Sequence, residues 1–554
     1  MGKSFVYNTG ASDDDKKENE IRLEFGVFID GTLNNKDNTA LREKYDGKNT
    51  VDLTPKEIEE DKKRYLKARN DDPKEYKQYK EASKKGTLEG FSPTSNSFEN
   101  GDTNVARKWK CCKKDYRIYI PGMGTSDVET QGIAHDDDDG FQYGAGNVSG
   151  IRARVRLGCE SLAKKIKIKI DEKDDSITTE ITVDVFGFSR GAASARNFVY
   201  EITKGEYTPG DIEVSYTETI HHPERAELID YSKIRDNPYE PSEKPKNRIQ
   251  HYKAYTTTEK KKKIVKQADS DGLMTDPKLY LDGKLPRMGH LGYSLRKLKI
   301  KPEQLEKIEL KVRFLGIYDT VSSYEEWGPM GGDSPIKKGA IHIQPGKSLF
   351  KDDIKQLNLN TLRCAKIVHF TAKDEHRENF DLTRITGSNV KDAQGNIRRI
   401  EKNFPGVHCD IGGAYETGRE YIDEIEVVNK DMSGLHDPFD TPETSKALLE
   451  DFSKKLIKEY WYKKDELKIT VQNPNLRYDF SKLSGTRAKI YKEYSYIPLH
   501  FMKEYYVEYI KPFFVESAFK KYDIKDKKLI AAKKHLEKYV MNKGGKEWNF
   551  ISDD

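Results

Sequence analysis

The sequence predicts an α/β protein built on a mostly parallel sheet, with large polar insertions and a helical C-terminal region. Three observations predict it. The apolar run Thr182 to Phe186 enters Gly187-Phe188-Ser189-Arg190-Gly191 and then a stretch of small residues that includes Ala192, Ala193 and Ala195. That reads as strand, tight turn and helix. Ahead of it, Val155, Cys159, Leu162, Ile166 and Ile170 recur at threes and fours from Ile151 onward, the spacing of a long amphipathic helix. Strand, helix, strand is the unit of a parallel sheet. Finally, the apolar runs 21–29, 116–120, 308–317 and 365–370 each empty into a polar or Gly-containing turn. An open α/β sheet collects its functional turns at the carboxyl ends of its strands in this way.

Taken in order, residues 1–20 form a polar, flexible tail with no apolar segment of the kind a secretory signal needs. A catalytic region spans 21–440. Its first strand, 21–29, delivers Asp30-Gly31-Thr32-Leu33, a turn able to aim backbone N–H groups into a cleft; a plain Asp-Gly turn is the simpler alternative. Residues 36–114 contain no core-forming strand and read as an insertion, with a helix over 55–69 and a loop over 91–101. The strand 116–120 leads to a second turn, Pro121-Gly122-Met123-Gly124. In the loop 135–140, Asp136 to Asp139 cluster carboxylates that suit a hard cation, but the spacing is not that of an EF-hand and a solvated acidic loop is the simpler reading. Residues 205–305 form a second polar, irregular insertion, with His221, His222 and the run Lys260 to Lys263 facing solvent.

The strand 308–317 delivers Asp319. The strand 365–370 precedes Asp374-Glu375-His376-Arg377, and a Gly-rich loop over 403–415 carries His408 and Asp410. From about 441 to 554 the pattern reads as helices over 442–462, 498–519 and 525–540, with Pro512 kinking or splitting the second. This region is a helical cap or a membrane-facing module. The aromatic segment 498–519 either covers the sheet or lies in a lipid interface.

Composition narrows the function. The chain has 554 residues, long enough for a large core, and its 98 basic and 93 acidic residues leave a net charge of +5. Without a concentrated basic field it is not read as a nucleic-acid binder. Its five cysteines, Cys111, Cys112, Cys159, Cys364 and Cys409, form no C-x-x-C pair, which disfavours a disulfide framework or a zinc site. No run of about 18 apolar residues is present, so no spanning helix is expected.

The chemistry centres on Ser189. Gly-x-Ser-x-Gly between a strand and a helix is the nucleophile-elbow pattern of α/β-hydrolases. Gly187 and Gly191 then stand where a tight turn leaves no room for side chains. The alternative is that Ser189 merely caps the helix. A serine hydroxyl needs a base to take its proton, and a carboxylate to orient that base. The hydrolase order of serine, acid and histidine selects Ser189, Asp319 and His408. His369, inside an apolar run, is expected to pack in the core, and His376, in a charged string, to face solvent. The oxyanion would be held by the N–H of Arg190 and one from the Gly31–Thr32 turn. No cofactor or metal is called for.

These residues also carry a resemblance. The segments Phe28 to Asn35, Tyr119 to Thr125, Gly187 to Ala192, Phe314 to Val321, Lys373 to Arg377 and Phe404 to Gly413 are similar, in order, to the motifs of type VI secretion phospholipase effectors, the first of the antibacterial lipase-effector families. The resemblance covers roughly 21–415. It implies a triad of Ser189, Asp319 and His408, and hydrolysis of glycerophospholipid acyl esters in a rival bacterium's membrane. It further implies synthesis in the producer's cytoplasm, a secretion-apparatus spike or tube component as carrier, delivery to the target periplasm or membrane, and a cognate immunity protein. Two positions depart from the family pattern: Cys409, where a small hydroxyl residue is commoner, and Leu33, where glycine is often found. The competing functions are an esterase acting on a small soluble ester and a non-catalytic adaptor on the same scaffold.

Overall fold

The computed structural model describes residues 20–49, 51, 53–85, 97–126, 150–172, 177–229, 248–322, 358–359, 363–377, 380, 382–387, 390–391, 395–431, 442–472 and 478–548. In chain order its strands are β1 (Glu20–Ile29), β2 (Arg117–Ile120) and β3 (Ile177–Phe188), then β4 (Gly210–His222), β5 (Arg225–Ile229), β6 (Arg248–Tyr252) and β7 (Tyr255–Ala268). They continue with β8 (Glu309–Tyr318), β9 (Cys364–Ala372), β10 (Arg399–Phe404), β11 (Gly418–Asp431), β12 (Leu467–Gln472) and β13 (Tyr478–Ile490). The chain divides into two compact units, one of residues 1–205 with 287–554 and one of residues 206–286.

The larger unit is organised on a six-stranded sheet of order β10-β9-β8-β3-β1-β2, every neighbouring pair parallel. The chain steps from β1 outward to β2, then returns to the other side of β1 for β3. The strand order therefore reverses between β1 and β3, the position at which open α/β sheets form a crevice. The period-two alternation of the strands sorts their side chains onto two faces. Ile29, Val183, Val185, Leu315 and Ile317 meet Val155, Phe198 and Leu291 from the helices Ile151–Asp171, Arg190–Ile202 and Gly289–Lys297. On the other face, Phe28, Phe186, Phe314 and Phe370 meet Val105, Phe501, Tyr506 and Leu536 from the helices Asn104–Lys110, Tyr496–Tyr506 and Lys527–Val540. Each such side chain stabilises the fold by about 1.5–3 kcal/mol when fully buried.

Three sequence expectations change here. Within 36–114, the helix Pro55–Asp71 forms with a capping box at Thr54 and Glu57, but Asn104–Lys110 and Cys112 belong to the core of the sheet rather than to an insertion. Within 205–305, the smaller unit holds two antiparallel ribbons, β4 with β7 and β5 with β6. From Met288 onward the chain is sheet core again, through Leu291, Leu295, Ile300 and Leu305. Beyond 440 the chain is not all helix. β12 and β13 lie there and form an antiparallel sheet with β11, which precedes 440, and the helix Pro442–Lys458 covers it through Ile425, Leu449, Leu456 and Leu483.

The aromatic helix ends at Tyr506 and Pro512 falls in the turns that follow. Its Ile497, Phe501, Met502 and Tyr506 are buried on the central sheet, so this face is core and not a lipid-facing surface. Among the described residues no helix is long and apolar enough to cross a membrane.

Candidate active site

The crevice is lined by the turns that leave β1, β3, β8 and β10. At the end of β1, Asp30 is buried. Its Oδ1 accepts from Gly31 N at 2.9 Å and Thr103 Oγ1 at 2.6 Å, and its Oδ2 accepts from Tyr119 Oη at 2.6 Å. Burial pushes its carboxyl up to about 6, against the pull of those three donors. The Gly31 N–H is thus already engaged, which corrects its assignment to the oxyanion hole. Thr32 is the other residue of that turn, and its Oγ1 is buried with no partner among the described residues. Leu33 adopts φ 54°, a region in which glycine sits without strain. The second turn holds it there, because Leu33 N donates to Met123 O at 2.8 Å and Gly122 N to Asn34 O at 2.9 Å.

At the end of β3, Ser189 takes φ 58° and ψ −132° and makes no side-chain cap to the helix that follows. That sets aside the capping alternative and leaves a strained residue, at a cost of about 1–3 kcal/mol. The glycines beside it answer to close approach. A Cβ on Gly187 would lie 2.5 Å from Gly191 O, and one on Gly191 would lie 2.1 Å from Asp30 O. The elbow and the β1 turn are therefore pressed together.

Asp319 leaves β8 with φ 37°. Its Oδ1 accepts from Ala372 N at 2.8 Å, and its Oδ2 lies 2.6 Å from His408 Nδ1. Asp319 is 1% exposed and His408 2%, so this contact is screened by almost no solvent. A neutral imidazole that donates from Nδ1 to the carboxylate keeps Nε2 as its acceptor. Ser189 adjoins Asp319 through the backbone: Ser189 N donates to Tyr318 O at 3.1 Å and Val321 N to Ser189 O at 3.3 Å. It adjoins His408 through Phe188, whose ring lies 4.5 Å from the imidazole. Gly412 makes room for that ring, since a Cβ there would come within 1.9 Å of it.

The other histidines divide. His369 is buried as expected, with Nδ1 on Glu401 at 3.0 Å and Nε2 on Thr320 N at 3.1 Å. His376 does not face solvent: it is half-buried among Phe452, Trp461 and Tyr462, residues of the region read only as helix. Asp410 orients the histidine loop by accepting from Val407 N at 3.0 Å and Tyr415 Oη at 2.9 Å. His222 stacks on Tyr255 across the ribbon of the smaller unit. The acidic cluster Asp136 to Asp139 lies outside the described residues. A cleft of about 1570 Å³ flanks the histidine loop, with Arg377, Cys409, Asp410, Tyr415, Arg487 and Tyr494 in its lining. Ser189, Asp319 and His408 are not part of that lining.

Glu375 was not singled out from the sequence as a functional residue. It sits after β9 and accepts from His408 N at 3.0 Å. The signal that could have found it is its motif position, at the end of a buried parallel strand like the other crevice residues.

Residues 86–433 match the family model of the type VI secretion system phospholipase effector Tle1-like catalytic domain. The chain belongs to this family. No curated protein matches it. Among solved structures, the Tle1 effector bound to the VgrG spike of the type 6 secretion system is similar at 16% identity, over 97% of this chain and 83% of that one, with a TM-score of 0.43. An uncharacterized protein from Pseudomonas aeruginosa is similar at 13% identity, over 72% and 42% of the two chains, with a TM-score of 0.28. Membership in the Tle1-like family rests on the sequence model alone. That model spans the elbow, Asp319 and His408 but begins after the β1 turn.

Proposed function

We propose that this Tle1-like protein is a serine hydrolase of the phospholipase A type, cleaving acyl esters of membrane glycerophospholipids as an antibacterial effector. The observation that carries the reading is the buried 2.6 Å contact of His408 Nδ1 with Asp319, next to a serine held at φ 58°. His408 Nε2 takes the Ser189 proton as Oγ attacks the ester carbonyl. The oxyanion is stabilised by the N–H of Arg190 and by Thr32, and loss of one such donor costs about 2.7–4 kcal/mol. The imidazolium returns its proton to the departing lysophospholipid alcohol. Water, deprotonated by the same nitrogen, then releases the fatty acid from Ser189. Asp319 stabilises the imidazolium in both halves.

Family membership supports the wider setting. The protein is made in the producer's cytoplasm, carried by a spike or tube component and delivered to the target's periplasm or membrane. A cognate immunity protein protects the producer. The test is hydrolysis of phospholipid vesicles with product identification, for wild type and Ser189→Ala. The variant should fold and lose about 10³–10⁶-fold in turnover. Near-wild-type hydrolysis by it would end the reading.

A further inference from the structure

The motif Asp374-Glu375-His376-Arg377 has no place in the mechanism above, yet its first two residues bond directly to the catalytic loop. Asp374 pairs with Gly406 in both directions: Asp374 N donates to Gly406 O at 3.1 Å, and Gly406 N to Asp374 Oδ2 at 2.8 Å. That pairing extends the parallel register of β9 and β10 beyond the sheet and places the next residue, Glu375, beneath His408. Glu375 Oε2 accepts the backbone N–H of His408 at 3.0 Å and Arg377 Nη2 at 2.8 Å. Its Oε1 accepts the N–H groups of His376 at 3.0 Å and Arg377 at 2.9 Å, and Arg377 Nε at 2.9 Å. The guanidinium of Arg377 lies 3.7 Å over the ring of Phe380, and that ring meets the His408 imidazole edge-on at 4.9 Å.

We infer that Glu375, locked by Arg377, is a positioning residue for His408: it holds the histidine's backbone N–H while the Arg377–Phe380 stack bounds the imidazole. Asp319 orients the ring from one side, and the Glu375 clamp fixes the point from which the ring hangs. This inference rests on the proposed role of His408 as the base.

Two consequences distinguish the clamp from a brace that merely holds the fold. First, Glu375 carries a permanent negative charge beside the imidazole. Burial opposes that charge, but Arg377 outweighs it and holds the carboxyl down at about 2. Among the described residues, the charged or titratable groups around His408 are Asp319 from the end of β8, Glu375 and Arg377 from the loop after β9, and Cys409 and Asp410 from its own short helix. Removing one negative charge from that set makes the protonated imidazole less favourable. Second, Glu375 contacts the base and not the site of bond cleavage, so its loss should fall on kcat and leave KM alone.

The experiment measures vesicle hydrolysis, and hydrolysis of a short-chain nitrophenyl ester, against pH for wild type, Glu375→Gln and Glu375→Ala, with thermal melts of each. Glu375→Gln keeps an oxygen for the His408 N–H and removes the charge. It should lower kcat about tenfold, leave KM within about twofold, and move the acidic limb of kcat/KM to lower pH. Glu375→Ala should cost about 10²-fold in kcat through misplacement of the base. If neither folds because Arg377 is left uncompensated, the double variant Glu375→Gln with Arg377→Met removes both charges together, and should show the kcat loss with KM unchanged and the acidic limb left near its wild-type position. Any folded variant with wild-type kcat, or a folded single variant with lowered kcat and an unmoved pH profile, would overturn the inference. A wild type inactive on both substrates would instead overturn the proposed function.

Discussion

The carboxyl edge of the central sheet and the β4–β7 ribbon both carry dense charge, and they manage it in opposite ways. At the sheet edge, Asp30 and Asp319 are each 1% exposed, and each is met by at least two partners. On the ribbon, Lys262 pairs with Glu213 at 2.7 Å and Lys266 with Asp211 at 3.2 Å, every one of these side chains more than half exposed. Water and salt screen the ribbon pairs, so little depends on any one of them. In the crevice the low dielectric makes each contact consequential, and an unanswered group there is costly. Charge on the ribbon therefore keeps an exposed two-stranded element soluble, whereas charge in the crevice fixes the position of single atoms.

The largest effect that would sharpen this contrast comes from Asp319→Asn. Replacing the carboxylate that bonds His408 Nδ1 should lower kcat by about 10⁴-fold, with the melting temperature held. A loss below tenfold in a vesicle assay would show that the buried contact is not what orients the base.

Asp30 gives an intermediate effect, read in stability. Its carboxyl is pushed up to about 6 from an ordinary 3.8. A carboxyl raised in the folded state stabilises most below its unfolded value and loses that contribution as pH rises through its folded one. Wild type should therefore lose up to about 3 kcal/mol relative to Asp30→Asn between pH 4 and pH 7. Denaturant melts of the two proteins across that range check it, and parallel curves would count against it. Glu201, Glu375 and Glu401 have the opposite sign. Burial resists their charge, but His290 and Arg152, Arg377, and His369 respectively outweigh it and hold all three down at about 2. Their contribution is present above about pH 4.5 and fades as pH falls towards 2.

The smallest effect belongs to the ribbon. Lys262→Ala should leave both the melting temperature and hydrolysis unchanged. A measurable loss of either would break the comparison, because it would mean that an exposed pair carries weight.

Much of the crevice was legible because its signals are local. Gly187 and Gly191 bracket Ser189 within five residues, and the structure explains both by backbone approaches close enough to exclude a Cβ. The strands that became β1, β2, β3, β8 and β9 announce themselves as apolar runs, since both faces of the sheet are covered. β11 and β13 were missed for the complementary reason. Their sequences alternate weakly and are rich in charged residues, because the apolar core of the small sheet is, among the described residues, Ile425 and Leu483 with a few partners. The misreading of His376 has another source: its aromatic neighbours Phe452, Trp461 and Tyr462 lie in and just after a helix read correctly at 442–462, but nothing local shows that this helix packs against residue 376. Glu375 stayed hidden because its meaning depends on a loop 33 residues away.

What the sequence determined by itself was the class of sheet, the strand–turn–helix around Ser189 and the residue types of the proposed triad, since alternation, glycine spacing and strand-end placement obey short-range sterics. Tertiary structure alone decided which polar atoms meet. It joined Asp319 to His408 across 89 residues and Thr103 to Asp30 across 73. It also buried Lys108, from a Lys-rich segment, 4.5 to 4.9 Å from the rings of Phe186, Tyr318 and Tyr506. The physical reason is that a hydrogen bond or a burial is a property of two distant segments brought together, and no single segment encodes its partner.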